Sequence, residues 1–541
     1  MLWKSLFFSL LLGYCFIYAP NGVNETDGGF LTGLAWQMLS GKVLYQDIVY
    51  VRPPLPVLLR AVELMFLPDT WAVLGERWIF YLKVGLYSWL GAAVLLSSAR
   101  LWMLATFGFV VSAHCYPPMA WHTVDGILFS ALGIWFWTKI PSRWGAALAG
   151  ASIFASLLCK QSFYPMVAVF AGLLIFSPHF SKAATNRVGW GIGALFFCTA
   201  LFFIYLYANE LLGNYFQMTG GATSGGQAFQ HGLLDYFRVK PILALCSAIF
   251  LAPVAWYFWK NKNPRWAALS WGVWVFCLAA SFAVEIWNRR DFTAPFAQAR
   301  LLFWVGVLFA IFLNKEGNAL KMNSLSPSPR HSTFNIHHLS LLAVSWCASV
   351  SWGYNLPILF STPWVFAAME IGQHLWQRAY PERPTAWLHL FALAMLLLTF
   401  RLGYEFVYRD GRRSEMATPL GNIFPKLDGL YSTPETGQLY LDLKNLASRY
   451  PNFKTLPAFP QANFLTGTRP PLPLDWVVNR ETNGDNMLIL KNLEENRPVL
   501  FIEKRWLEQI KTDPELRLTR ELSQSGTILD ETPYFLVITP K

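Results

Sequence analysis

Charge is what this chain has least of. Only 14% of its 541 residues are Asp, Glu, Lys or Arg, while 54% are hydrophobic and 16% aromatic. A soluble globular domain carries about 25% charged residues, so that class is excluded and a membrane protein is expected. Cysteine is sparse and unpatterned. The seven (Cys15, Cys115, Cys159, Cys198, Cys246, Cys277, Cys347) lie in or beside apolar runs, without CxxC or His-paired spacing, so neither disulfides nor a cysteine-bound metal is expected. The formal charge of +11 is scattered between apolar runs, and with no basic patch a nucleic-acid partner is not expected. No fixed-period repeat occurs. The opening "SLFFSLLLGYCFIYA" lacks a clean small-x-small cleavage site, which reads as an uncleaved first anchor rather than a secretory signal. The Gly-rich stretch "GNYFQMTGGATSGGQAFQHGLLDYF", with His231, lies between apolar runs. A phosphate-cradling loop needs a strand before it and a helix after it.

What is present is a series of apolar runs. Since about 20 mainly apolar residues cross a bilayer, candidate spans lie near 2–19, 77–98, 101–116, 120–138, 144–159, 162–178, 188–208, 240–259, 266–284, 299–314, 338–352, 357–374 and 385–402. Alternate connections carry Arg100, then Lys139 and Arg143, Lys182 and Arg187, Lys260, Lys262 and Arg265, Lys315, Lys321 and Arg330, and Arg378 and Arg383. The positive-inside rule puts these in the cytoplasm. About thirteen spans starting inside leave the C-terminus outside, together with a long first loop (20–76) and loops at 209–239 and 285–298.

The expected fold class is therefore a polytopic α-helical membrane protein with a small extracytoplasmic α/β domain at its C-terminus. The division is a membrane domain over 1–402 and a soluble domain over 403–541. After residue 403 both signs of charge become frequent and no run reaches spanning length. There "GQLYLDLKNLASRY" has helical spacing, and "RPVLFIEK" and "YFLVITP" read as short strands. The segment "KEGNALKMNSLSPSPRHSTFN" reads as a polar linker.

The first outer loop holds the densest chemistry. Glu25 and Asp27 come directly after the first apolar run. Beyond Gly28-Gly29, the positions Leu31, Leu34, Ala35, Met38 and Leu39 predict an amphipathic interfacial helix. A second is predicted after Arg52-Pro53-Pro54. Asp125 and His122 stand three apart at the outer end of a later span, where an ionisable group faces a cavity or a partner. Lys160 and Gln161 lie at an outer boundary, against the positive-inside trend. Arg289, Arg290 and Arg300 cluster in a further outside loop. The bland alternatives are an N-cap role for Asp27, pairing of Asp125 with His122, and snorkelling for Lys160.

An acidic pair soon after the first span, then Gly41, Tyr45 and Asp47, then Arg52, Pro53, Pro54 and Leu55, resembles the lipid-phosphate-dependent glycosyltransferases of the GT-C fold. The similarity is greatest to the branch of protein O-mannosyltransferases and lipid A aminoarabinose transferases, and it covers about the first 180 residues best. The chain departs from that pattern in having Glu25-Thr26-Asp27 rather than contiguous acids, and Arg52 where the aminoarabinose branch has Lys.

The resemblance implies a sugar donor on a polyprenyl phosphate and a glycan, lipid or protein acceptor at the plasma (inner) membrane. It also implies an acidic base in the first loop: Asp27, with Glu25 as competitor and Asp125 as a second acidic site. Arg52, Lys160, Gln161, His122, Asp47, Arg289 and Arg290 are candidates for holding the lipid phosphate or the acceptor. No cofactor is required. Two carboxylates and His122 are compatible with a divalent ion, but no spacing demands one. A transporter or flippase would share the layout, but the two corresponding halves many transporters show are missing. A polysaccharide polymerase or ligase would be expected to carry its main catalytic loop late in the chain.

Overall fold

The computed structural model describes residues 2–97, 100–114, 117–176, 182–220, 241–260, 262–289, 336–350, 357–383, 386–405, 407, 410–482 and 486–540. Among the described residues ten α-helices carry the chain to residue 219: α1 (Leu2–Gly13, running on as a π-turn over Tyr14–Tyr18), α2 (Phe30–Leu39), α3 (Leu55–Phe66), α4 (Ala72–Leu95), α5 (Arg100–Ala113), α6 (His122–Lys139), α7 (Arg143–Leu157), α8 (Met166–Phe176), α9 (Lys182–Ala208) and α10 (Leu212–Thr219). Further helices cover Pro241–Lys260, Pro264–Arg289, Ile336–Val350, Thr362–Ala379 and Ala386–Glu405. Each predicted apolar run has a helix within a few residues of it, except 299–314, which lies outside the described residues, whereas α2, α3 and α10 fall in the predicted outer loops.

The local reasons are plain in the sequence. Ser142 caps α7 by accepting from the Gly145 amide at 3.1 Å. Pro53 and Pro54 end the preceding extended stretch, and α3 begins at Leu55. Outward faces carry Phe66, Phe176, Phe196, Phe197 and Ile204, all exposed, a surface that hydrocarbon satisfies and water does not. Among the described residues two stretches, Asp69–Leu95 and Asn186–Ala208, are long and apolar enough to cross a bilayer unaided.

The C-terminal region is built on a four-stranded mixed sheet. In chain order a two-residue ribbon comes first, β1 (Thr418–Pro419) with β2 (Tyr431–Ser432), followed by β3 (Phe453–Leu456), β4 (Val499–Glu503), β5 (Thr527–Glu531) and β6 (Phe535–Thr539). The sheet order is β3-β4-β6-β5, parallel only between β3 and β4. The predicted helix and both predicted strands are present as Pro434–Arg449, β4 and β6. Thr433 caps that helix, accepting from the Thr436 amide at 3.2 Å.

One expectation is corrected. Helix α2 is not an interfacial helix with a wet face: Phe30, Leu31, Thr32, Gly33, Leu34, Ala35 and Gln37 are all buried. It lies between the helical region and the sheet domain, where Gln37 Nε2 donates to Asp475 Oδ2 at 3.0 Å and Trp36 Nε1 to the Thr468 carbonyl at 3.0 Å. Asp475 also pairs with Lys454 at 2.5 Å, both fully buried. One continuous apolar core contains Leu34 of α2, Val84 of α4, Ile127 of α6 and Leu500 and Ile538 of the sheet. The first loop is thereby clamped from both sides.

Candidate active site

The acidic turn is held from its first residue. Arg77, buried in the first turns of α4, donates to the carbonyls of Ala19 at 2.7 Å and Gly22 at 2.6 Å, closing the end of the opening helix. The emerging chain pairs with the C-terminal domain. Gly22 N donates to Tyr431 O at 2.8 Å, Tyr431 N to Pro20 O at 2.8 Å, and Val23 N to Asp410 Oδ2 at 2.8 Å. Gly22 has φ +77°, and a Cβ there would stand 2.0 Å from Val407 Cγ1, so only glycine fits. Asn24 then folds the next residues into an Asx turn. Its Oδ1 accepts from Thr26 N at 3.0 Å, Thr26 Oγ1 at 2.8 Å and Asp27 N at 3.1 Å.

This turn separates the two acidic candidates. Asp27 is half-buried, and its carbonyl accepts from Phe30 N at 3.2 Å. Helix α2 begins at Phe30, with Gly29 at its N-cap position. Glu25 faces the C-terminal domain. Only 4% exposed, it meets Arg505 of the C-terminal domain at 3.2 Å, and Arg505 also pairs with Glu503. Burial pushes the Glu25 carboxyl above its ordinary range against the pull of Arg505, and it pushes Glu503 up to about 7. Glu25 and Glu503 line a cavity of about 780 Å³ together with Asp410, Glu415 and Glu435.

The cationic side is built by the segment 41–55. Gly41 (φ +94°) and Tyr45 (φ +69°) turn the chain. Asp47 Oδ2 accepts from Val43 N at 2.8 Å, and buried Tyr45 donates its hydroxyl to the Arg52 carbonyl at 2.7 Å. Gly41, Tyr45 and Asp47 therefore act here as scaffold. Arg52 forks onto Glu481 of the C-terminal domain at 2.6 and 2.5 Å and lies 5.4 Å over the Phe30 ring. Gln161 Nε2 donates to Val51 O at 2.7 Å and Leu55 N to Leu158 O at 3.0 Å, which docks the Arg-Pro-Pro turn on the segment carrying Lys160. Burial, then the neighbouring Arg52 charge, lowers Lys160 to about 7. Arg52, Arg480 and Glu481 are all close enough to Lys160 to act on its charge, so cationic side chains from three segments come together here, a grouping suited to an anion.

An aromatic cluster joins the two sides. Phe30 contacts Trp476 (4.4 Å between centroids), Trp121 (5.9 Å) and His122 (5.9 Å). Trp476 donates its indole N–H to the carbonyl of Thr26, beside Asp27, at 2.8 Å. His122 is fully buried and nearly parallel to Tyr50, at 19° and 6.2 Å.

Asp125 does not pair with His122 as considered from its spacing. It meets Lys83 of α4 at 2.7 Å. Lys83 also meets Glu63 of α3 at 3.2 Å, Glu63 meets Arg60 at 3.1 Å, and Arg60 meets Glu76 at 2.7 Å. Glu76 accepts from Thr32 Oγ1 at 2.9 Å and from Ala120 N at 2.7 Å. This buried ladder of alternating charge ties α2, α3, α4 and α6 together, and of its members sequence reasoning singled out only Asp125. The available signal was Lys83 inside an apolar run, where an ionisable residue calls for a partner.

Among the described residues no group of three or more His, Cys, Asp or Glu side chains converges as for a metal. Arg289 is the last residue of helix Pro264–Arg289, while Arg290, Arg300 and His231 lie outside the described residues.

No protein-family profile matches the chain, and no curated protein matches it. Solved structures similar in fold include ArnT from Cupriavidus metallidurans bound to undecaprenyl phosphate, 13% identical with a TM-score of 0.42 over 99% of this chain and 98% of that one. The archaeal oligosaccharyltransferase AglB from Archaeoglobus fulgidus, in complex with an inhibitory peptide and a dolichol-phosphate, is 12% identical with a TM-score of 0.47 over 98% and 73%. The apo form of the Archaeoglobus fulgidus oligosaccharyltransferase is 11% identical with a TM-score of 0.48 over 99% and 74%.

Proposed function

We propose that this chain is a GT-C-type membrane glycosyltransferase that moves a hexosyl or pentosyl group from a polyprenyl-phosphate donor to an acceptor hydroxyl at the extracytoplasmic face. The observation that carries the reading is one aromatic cluster that touches both the acidic turn and the cationic segment. Trp476 bonds the turn beside Asp27, and Phe30 lies under Arg52.

The chemistry needs both sides. A hydroxyl is a weak nucleophile, and a positioned carboxylate that takes its proton as the new glycosidic bond forms contributes roughly 10²–10⁴-fold. Asp27, half-buried and next to the Thr26 carbonyl that Trp476 holds, is that base, while Glu25 is taken up by Arg505. As the bond from the sugar to the phosphate oxygen breaks, the lipid phosphate gains charge, which Arg52 and Lys160 receive. Asp125, held by Lys83, borders the donor side. The multi-pass arrangement, the cytoplasmic N-terminus and the outward C-terminal domain follow from the alternation of basic loops. On this reading that domain completes the site, because Glu481 holds Arg52 and Trp476 holds the acidic turn.

The test is transfer of radiolabelled sugar from polyprenyl-phosphate donors in membranes carrying wild type or Asp27→Asn. We expect the variant to lose at least about 100-fold in rate. Transfer at the wild-type rate would remove Asp27 from the mechanism.

A further inference from the structure

We infer that Tyr50 and His122 form a hydroxyl-reading pair that recognises the sugar of the donor, and that the group transferred is a neutral, hydroxyl-bearing sugar. The inference rests on the reading of the chain as a lipid-phosphate-dependent glycosyltransferase and adds the part of the substrate that reading leaves open.

The starting observation is three buried polar atoms with no hydrogen-bond partner among the described residues. Tyr50 is 1% exposed and His122 0%. These atoms are the Tyr50 hydroxyl and both ring nitrogens of His122, none with a hydrogen-bond partner among the described residues. Such groups are rare in folded proteins and each leaves a desolvation cost uncompensated. Both rings are fixed in place. Tyr50 and His122 lie at 19° to each other with centroids 6.2 Å apart, and Trp121 packs edge-on against His122 at 4.6 Å. They are a rigid, buried set of donors and acceptors within electrostatic reach of the candidate phosphate cations. Arg52 is close enough to act electrostatically on both rings, as Lys160 is on His122 and Asp125 on Tyr50.

The chemistry of the pair selects its ligand. A neutral imidazole offers one N–H donor and one lone pair, and a phenol offers both on one oxygen. A phosphate only accepts and an ammonium only donates, so either leaves part of this set unused. Sugar hydroxyls do both and use all of it. The division of labour follows: Arg52 and Lys160 take the charge of the lipid phosphate, while Tyr50 and His122 take the uncharged hydroxyls of the group attached to it. A site built to bond a hydroxyl rejects an analogue lacking it, because its own buried groups are then left unpaired.

Binding of two lipids to the purified full chain tests this: undecaprenyl phosphate, and undecaprenyl phosphate carrying a glucosyl group. The variants are Tyr50→Phe and His122→Phe, which keep a ring and remove the bonding atoms, with His122→Gln as the conservative rescue. Wild type should prefer the sugar-bearing lipid. Each Phe variant should weaken it about tenfold, equivalent to about 1.4 kcal/mol, with undecaprenyl phosphate binding unchanged, and His122→Gln should recover part of the loss. In the empty protein the Phe variants should melt no lower than wild type, since replacing an unpartnered buried polar group by an apolar one of similar shape is neutral or stabilising. Equal weakening of both lipids, or weakening of neither, overturns the inference while leaving the phosphate reading intact. A marked fall in melting temperature overturns it by revealing partners in the empty protein. Failure of wild type to bind either lipid removes both readings. Tighter binding of a 4-amino-4-deoxyarabinosyl lipid than of the glucosyl lipid overturns the choice of a neutral sugar.

Discussion

Lys83→Met is the perturbation whose size the structure states best. The Lys83 ammonium lies 2.7 Å from Asp125 and 3.2 Å from Glu63, and the three side chains are 16%, 2% and 14% exposed. At an effective dielectric of about 20, one pair at that shorter distance has a gross attraction of roughly 6 kcal/mol. The measurable quantity is smaller, because desolvation offsets much of it. Removing one partner of a buried pair costs about 3–5 kcal/mol, since the other charge is left uncompensated. Glu63 keeps Arg60 at 3.1 Å, so the orphan is Asp125. Lys83→Met should therefore destabilise by about 3–5 kcal/mol, and adding Asp125→Asn should restore most of that, because no buried charge then lacks a partner. The assay is SDS titration of the purified protein in one fixed detergent, with the single variants and the double variant forming a cycle. The loss in Lys83→Met should shrink at low pH, where a protonated carboxyl needs no counter-ion. A single-variant cost below about 1 kcal/mol, or a double variant no better than Lys83→Met, would refute the ladder as a source of stability.

Two further outcomes depend on pH. Burial raises Glu503 from 4.5 to about 7, so its contribution to stability is fully present below about pH 4.5 and is lost as the pH rises to 7. Glu503→Gln should flatten that stretch of the melting-temperature profile; a wild-type profile that rises over this window, or one unchanged by the substitution, would contradict the assignment. Lys160, lowered to about 7, is half-charged near neutrality in the empty site. Affinity for undecaprenyl phosphate should therefore strengthen as pH falls from 8 to 7, by at most tenfold per unit for one proton taken up. Lys160→Met should abolish the dependence, and persistence of the full slope would place the titrating group elsewhere.

The helices were legible because hydropathy is a local property: a run of apolar residues between basic loops marks a helix without reference to the rest of the chain. The C-terminal helix and strands β4 and β6 were legible for a similar reason, each being an apolar pattern bounded by Pro or charge. The short strand β3 was not, since "FKTL" has little alternation and its buried Lys454 is explained only by Asp475, 21 residues on. Helix α2 misled, because its helical spacing is real but its polar face is covered by a domain more than 400 residues away in sequence.

The sequence by itself determined that this is a helical membrane chain with a polar C-terminal domain, and that acidic and basic residues crowd its first loop. Those follow from composition, run length and charge order. Only the tertiary structure decided which of those residues meet. It gave Glu25 to Arg505 and Arg52 to Glu481, paired Asp125 with Lys83, and left Tyr50 and His122 outside those ion pairs. Pairing of charges depends on distance in space, and Glu25 and Arg505 are separated by 480 positions. No local pattern encodes a contact of that length, so the partners emerge only when the C-terminal domain closes over the first loop.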